Sequence, residues 1–135
     1  MKWVDFRVMV EKNPDMCVSD KTPGVYGILV DDKCVYLAYT DVDCRQALLS
    51  ELYRIENAML NPDEYLHLLL SAKLGGHEVR GVQIVSCERK EAFEHFKRYL
   101  AAWKPILNQQ GKWKIEEVLN QGVVVEDKRV GDYVI

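Results

Sequence analysis

The sequence predicts one α/β domain of the α+β kind, in which helices flank a small antiparallel or mixed sheet. Its 135 residues, 48% hydrophobic and 29% charged, fit an ordinary globular domain. Two β-rich runs are joined by a very short polar connection, and later segments repeat apolar residues at helical spacing. No linker or repeat divides the chain, so we expect a single domain over residues 1–135.

Strands are expected on both sides of a loop and later in the chain. Residues 3–10 alternate well enough for a strand, and residues 11–24 contain turn signals. Residues 25–30 and 34–39 are rich in β-branched and aromatic residues, and Asp31-Asp32-Lys33 separates them. Such a pair of runs with so short a connection predicts a hairpin. Residues 79–87 form a further strand.

Helices are expected after the hairpin. Asp41 or Asp43 would cap the first helix, and Asn61-Pro62-Asp63 would start the second, which Gly75-Gly76 ends. Residues 91–103 give the clearest helical pattern. Its apolar residues, at spacings of three and four, are Phe93, Phe96, Leu100 and Trp103. Beyond it we expect a short helix over residues 113–119 and a terminal hairpin over residues 123–135.

Charge and cysteine content narrow the function. The net charge of −3 weighs mildly against a dedicated nucleic-acid binder, although basic residues crowd positions 89–114. The four cysteines form no Cys-x-x-Cys pair, which predicts reduced thiols rather than a zinc site. No apolar stretch approaches the roughly 20 residues of a membrane span, and the first residues lack the apolar block of a signal peptide. We therefore expect a cytoplasmic protein without a membrane partner.

Several short motifs occur in a specific order. Gly24-Val25-Tyr26 lies on the first hairpin strand and Tyr36-Leu37-Ala38 on the second, with the two tyrosines ten residues apart. Arg45 follows Tyr36 by nine residues, and Pro105-Ile106-Leu107-Asn108 follows the long helix. This order resembles the GIY-YIG nuclease superfamily over about residues 24–108, although Ala38 replaces the glycine of the second half. Residues 109–135 would then be a C-terminal appendage of helix and hairpin.

The resemblance implies roles for four residues. Tyr26, with Tyr36, would position or deprotonate the attacking water, which requires nearby positive charge to lower a phenol pKa of about 10. Arg45 would bind the scissile phosphate, and Asn108 would hold the site together. Each residue also has a purely structural interpretation. The tyrosines could pack across the hairpin, Arg45 could pair with Asp41 or Glu51, and Asn108 could shape a turn.

The metal ligand of the family is the point at which the pattern fails. The resemblance places a glutamate that binds Mg²⁺ nine residues before the proline of Pro-x-x-Asn, and this chain has Phe96 there. Phenylalanine offers no oxygen to Mg²⁺. Glu94 is the nearest substitute, but two residues correspond to about 200° around a helix. Leu49 also replaces a polar residue expected four positions after Arg45.

Three functions remain open from the sequence. The first is an Mg²⁺-dependent endonuclease that uses Glu94 as a relocated ligand. The second is a degenerate member that binds DNA or RNA through Arg45, Arg89, Lys97 and Lys104. The third is an inactive scaffold that binds a protein partner or a second copy of itself through the strand edge of residues 123–135.

Overall fold

A computed structural model describes residues 22–60, 63–125 and 133–134, and these residues form a mixed α/β fold. Its sheet has the strand order β4-β2-β1-β3-β5 with antiparallel pairing throughout. The strands are β1 (Gly24–Val30), β2 (Lys33–Thr40), β3 (Val79–Ser86), β4 (Val123–Val124) and β5 (Tyr133–Val134). The helices are α1 (Cys44–Glu56), α2 (Glu64–Leu74), α3 (Ala92–Trp103) and α4 (Ile115–Leu119).

The predicted hairpin of β1 and β2 is confirmed, with Val30 paired to Lys33 across the turn. Asp31 and Asp32 form the turn with φ angles of 50° and 67°. Positive φ at both central residues is what a tight two-residue hairpin needs, and aspartate tolerates it better than most residues. Asp31 is also fixed from outside, because its backbone N–H donates to the Glu78 carbonyl at 2.9 Å.

Strand β1 is the centre of the sheet, and all seven of its residues are buried. Its side chains alternate between two apolar layers, as the period of a strand requires. Tyr26 and Ile28 pack with α1 and α2 in one core cluster. Val25 and Leu29 belong to a second cluster, which residues of α3 cover. The sheet therefore separates α1 and α2 from α3.

The helices begin and end close to the predicted positions. Asp43 caps α1 by accepting a hydrogen bond from the Gln46 backbone at 3.2 Å. Helix α2 begins at Glu64, directly after Asp63. Helix α3 ends at Trp103 and is followed by the capping residue Lys104, whose φ of 45° is left-handed, immediately before Pro105. No helix in the described ranges is long and apolar enough to cross a membrane.

The prediction of a terminal hairpin over residues 123–135 is wrong. Strand β4 pairs with β2 and strand β5 pairs with β3, so the two strands lie at opposite edges of the sheet. Helix α4 begins at Ile115 rather than at 113, and Val118 is fully buried in the first core cluster. Val118 is thus part of the core, and β4 and β5 are part of the sheet. The strand predicted over residues 3–10 lies outside the described residues.

Candidate functional site

The two motif tyrosines project from the same face of the hairpin. Tyr26 is only 7% exposed and Tyr36 is partly buried, and both belong to the core layer beneath α1 and α2. Tyr26 pairs with Ala38 across the hairpin, and Tyr36 pairs with Ile28. The tyrosines are therefore diagonal neighbours, close enough for their rings to interact.

A buried glutamate lies beside these tyrosines. Glu51 of α1 is 5% exposed and accepts a hydrogen bond from the Tyr65 hydroxyl at 2.8 Å. The Tyr65 ring stacks on Tyr36 with centroids 4.7 Å apart. Arg54 lies 3.6 Å from Glu51 and 2.7 Å from Asp63. We call these six residues, Tyr26, Tyr36, Glu51, Arg54, Asp63 and Tyr65, the tyrosine–glutamate cluster.

The electrostatics of this cluster oppose ionisation of the phenols. Burial, followed by the charge of Glu51, raises the pKa of both Tyr26 and Tyr36 above the ordinary value. The same two causes raise the pKa of Tyr65. Arg54 acts in the opposite direction but does not outweigh burial. The expectation that positive charge prepares Tyr26 as a base is therefore not met, because burial favours the neutral phenol.

The carboxyl of Glu51 is also shifted toward its neutral form. Burial is the main cause of its raised pKa, while the hydrogen bond from Tyr65 and the charge of Arg54 partly offset it. A carboxyl that accepts from the Tyr65 hydroxyl of α2 and lies near Arg54 helps to hold α1 against α2.

Arg45 does not join the cluster. It begins α1 and is partly exposed. Arg45 and Glu51 are six residues apart on α1, which corresponds to roughly 120° around the helix. The carboxylates proposed as its partners contact other cations, since Asp41 pairs with Arg89 at 3.6 Å and Glu51 lies near Arg54. Arg45 lies on the same side of α1 as Leu48, Leu49 and Leu52, which belong to the first core cluster.

Asn108 binds the edge of the hairpin. Its side-chain oxygen accepts from the Leu37 backbone N–H at 2.7 Å, and its side-chain nitrogen donates to the Leu37 carbonyl at 2.8 Å. These two bonds pair the backbone of Leu37 at the outer edge of β2, beyond Lys33 and Cys34, which pair with β4. Asn108 therefore links β2 to the segment that follows α3 by hydrogen bonds.

Glu94 cannot act as a metal ligand beside the motif tyrosines, and this corrects the expectation of a relocated ligand. Phe96 of α3 packs in the second core cluster, across the sheet from Tyr26. Glu94 is on the solvent side of the same helix, where it pairs with Lys97 at 2.8 Å. That pairing lowers the pKa of Glu94. Its carboxylate therefore lies on the wrong face of the sheet.

The residues at the cluster do not fit Mg²⁺. Magnesium usually keeps several waters and takes one or two carboxylates. Glu51 is too deeply buried to leave room for those waters, and Asp63 already binds Arg54. Over the described ranges, no group of three or more His, Cys, Asp or Glu residues could hold a metal ion. We accordingly derive no chemical step through a metal.

A different surface combines aromatic and basic side chains. Tyr39 at the end of β2 is 41% exposed and Phe93 at the start of α3 is 48% exposed. Their ring centroids are 5.3 Å apart, and Phe96 lies 5.0 Å from Tyr39. The Lys97 ammonium lies 4.8 Å from the centre of the Phe93 ring. With Arg89, these residues form what we call the aromatic–basic patch: Tyr39, Arg89, Phe93, Phe96 and Lys97.

The predicted basic residues are divided between this patch and other parts of the fold. Arg89 is exposed and borders an open hollow of about 550 Å³ with Asp41, Glu88 and Lys90. Lys97 contacts Phe93 within the patch. Lys104 caps the far end of α3, eleven residues and roughly 16 Å from Phe93. Lys104 is therefore not part of one binding surface with Arg89 and Lys97.

The sequence analysis did not predict that Glu51 and Tyr65 belong to the tyrosine–glutamate cluster. Glu51 follows Leu48 by three residues and precedes Ile55 by four, so it lies on the buried stripe of α1. An acid on an apolar stripe was the available signal. Nothing in the local sequence links Glu51 to Tyr65, which is fourteen positions away.

Comparison of the chain with protein-family models, with curated proteins and with solved structures finds no match.

Proposed function

We propose that this chain is a GIY-YIG-type domain without a nuclease centre, which binds single-stranded nucleic acid through the aromatic–basic patch. The observation that carries the binding proposal is the exposure of Tyr39 and Phe93 beside Arg89 and Lys97. Single-stranded nucleic acid offers unstacked bases to exposed rings and phosphates to cations. A duplex hides its base faces, so it has less to offer this patch.

The GIY-YIG assignment is supported by the motif order on a hairpin with the expected pairing. Tyr26 and Tyr36 share one face of β1 and β2, and Asn108 binds the edge of β2. These features favour the proposed family for the scaffold. They do not require the residues to be catalytic, since each has a packing or hydrogen-bonding role.

The absence of cleavage is supported by the separation of the candidate catalytic groups. Phosphodiester hydrolysis needs a base, a cation and a group for the leaving oxygen at one place. Here the tyrosines have raised pKa values, and Glu94 lies across the sheet from them. Binding without cutting is the function that remains.

The charge of the patch sets the expected strength of binding. Asp41 lies near Arg89 and Glu94 near Lys97, so each cation is partly neutralised. We therefore expect weak, salt-sensitive binding, on the order of 10⁻⁴ to 10⁻⁶ M as for non-specific contacts. The free thiols Cys34 and Cys87 support a reducing compartment such as the cytoplasm as its location.

Fluorescence anisotropy with labelled single-stranded DNA and RNA tests the proposal. Phe93→Ala and Tyr39→Ala should each weaken binding by roughly fivefold or more, because one stacked ring is lost. Leu74→Ala is the matched control, since Leu74 is 77% exposed and lies at the end of α2. The proposal would be refuted if Phe93→Ala and Tyr39→Ala bound as tightly as Leu74→Ala. It would also be refuted if the unaltered protein did not bind at low salt.

A second candidate function is a protein-interaction scaffold. Val123 and Val124 of the short strand β4 are 36% and 52% exposed, and β4 is an edge strand of the sheet. Exposed apolar edge strands favour pairing with another chain. If light scattering shows a dimer that Val124→Lys converts to a monomer, this function is favoured over nucleic-acid binding.

A further inference from the structure

A cleft lies between α2 and the segment after α3. It has a volume of about 200 Å³ and is lined by Glu64, Tyr65 and Leu68 from one side and by Leu107, Gln109 and Trp113 from the other. The cleft belongs to the α1–α2 face of the sheet, because Tyr65, Leu68, Leu107 and Trp113 pack against the first core cluster. The aromatic–basic patch lies on the other face, so the two sites are independent.

The walls of the cleft are aromatic and held in place. Tyr36 covers one face of the Tyr65 ring at 4.7 Å, so the opposite face or the edge of Tyr65 is what lines the cleft. The hydroxyl of Tyr65 is fixed by its 2.8 Å bond to buried Glu51. A wall whose ring is already stacked and hydrogen-bonded loses little freedom when a ligand binds.

The other wall is Trp113, which the local backbone supports. Gly111 has a φ of 148°, and a Cβ on it would approach the Trp113 ring to 3.0 Å. The indole nitrogen lies 3.5 Å from the Gln109 carbonyl. Because Gly111 has no side chain, the loop leaves room for the indole. Trp113 presents a broad, partly exposed surface to the cleft.

The polar groups at the cleft define its ligand. Glu64 is the charged residue among the described lining residues, and it is exposed. Lys112 and Lys114 flank Trp113 in the sequence and are exposed, but they are not lining residues. The side-chain nitrogen of Gln109 donates to the Lys104 carbonyl at 2.9 Å, which leaves its oxygen as an acceptor. The mouth is therefore rich in acceptors and repels anions.

From this geometry we infer that the cleft binds a planar, amino-substituted nitrogen heterocycle, such as the base of a nucleoside, stacked against Tyr65 and Trp113. Drug-sized ligands fill about 300–1,000 Å³, so this smaller cleft suits one or two fused rings. Aromatic walls bind the π-face, and the acceptors of Glu64 and Gln109 bind the amino hydrogens. A phosphate has no cationic partner among the described lining residues.

Titration of the unaltered, isotope-labelled protein with adenosine, followed by NMR, tests this inference. The expected result is saturable shifts at Tyr65, Leu68, Leu107 and the Trp113 indole, with weaker binding of inosine, which lacks the exocyclic amine. Adenosine monophosphate should bind no more tightly than adenosine, because Glu64 disfavours the phosphate. Trp113→Leu should weaken adenosine binding roughly tenfold, while Leu74→Ala, a change at the exposed far end of α2, should leave it unchanged.

Three results would overturn the inference. One is the absence of any shift up to roughly 10 mM adenosine, beyond the weak range near 1 mM expected of a small ligand. Another is tighter binding of the monophosphate than of adenosine. The third is a set of shifts confined to Tyr39 and Phe93, which would leave the proposed nucleic-acid patch intact and remove the cleft as a binding site.

Discussion

Tyr26 and Phe96 lie on opposite faces of the same sheet, in two separate layers of the core. Tyr26 projects from β1 toward α1 and α2, whereas Phe96 projects from α3 toward the outer side of the hairpin, 5.0 Å from Tyr39. Because the sheet lies between them, no side chain of α3 can complete a site around Tyr26 without a rearrangement of the fold. The molecule therefore offers two independent surfaces, one on each face.

The tyrosines of the cluster should resist ionisation. Burial and the charge of Glu51 raise the pKa of Tyr26, Tyr36 and Tyr65, so their ionised forms are disfavoured while the protein is folded. Alkaline titration of tyrosine-labelled protein by NMR should show these three rings still protonated at pH 10, where an ordinary tyrosine is half ionised. Ionisation of Tyr26 at or below that pH would contradict the electrostatic account.

Glu51 should give the folded protein a stability that declines as the pH rises. The folded-state pKa of Glu51 is raised, mainly by burial, so above the ordinary value of 4.5 the unfolded chain releases this proton first. The stability that Glu51 contributes is complete below that value and is lost as the pH rises through the folded-state pKa. Urea unfolding from pH 4 to 8 should show the difference between wild type and Glu51→Gln shrinking or reversing with rising pH.

Glu94→Gln is the control for the Glu51 prediction. The pKa of Glu94 is lowered by Lys97, so its small contribution has the opposite sign and is lost as the pH falls through the folded-state pKa. If both variants showed the same trend, burial of Glu51 would not be the cause.

Asn108 should stabilise the hairpin edge. Asn108→Ala removes the hydrogen-bond partners of both the N–H and the carbonyl of Leu37, a residue that is only 1% exposed. The free energy of unfolding should therefore fall by about 2 kcal/mol. Asn108→Asp keeps the acceptor but sets an oxygen against the Leu37 carbonyl, and it should lose a similar amount. Gln109→Ala breaks only an exposed bond to Lys104 and should cost less than about 0.5 kcal/mol by the same urea measurement.

Gly24 should tolerate no side chain. A Cβ at this position would collide with the backbone carbonyl of Val85 on β3, next to an irregularity in the pairing of β1 with β3. Backbone cannot move aside as a side chain does, so Gly24→Ala should destabilise the protein by about 3 kcal/mol or prevent folding. Gly75→Ala, at the exposed end of α2 with a nearest contact of 3.3 Å, should stay close to wild type in thermal unfolding.

Much of the fold followed from local sequence signals. The prediction of the hairpin depended on two β-rich runs around Asp31 and Asp32. The prediction of α3 depended on the spacing of Phe93, Phe96 and Trp103. These features are local in the chain, so a single sequence contains them. The ends of the sheet were missed because the pairing of β4 with β2 and of β5 with β3 joins distant segments.

The candidate sites were less predictable for the same reason. The order of Tyr26, Tyr36 and Arg45 suggested one catalytic site, but burial and the charge of Glu51 raise the pKa of both tyrosines. The hydrogen bond from Tyr65 to Glu51 and the ring contact of Tyr39 with Phe93 depend on tertiary packing. No residue pattern within one segment indicates either contact.

A combined binding and cleavage experiment tests the central claim, that this scaffold binds single-stranded nucleic acid without cutting it. End-labelled single-stranded DNA and RNA would be incubated with the protein in Mg²⁺ or Mn²⁺, with Arg45→Ala and Phe93→Ala beside it. We predict a retained complex that weakens with salt and in Phe93→Ala, and intact substrate throughout. Metal-dependent cutting that Arg45→Ala abolishes, while Phe93→Ala leaves it unchanged, would contradict the account.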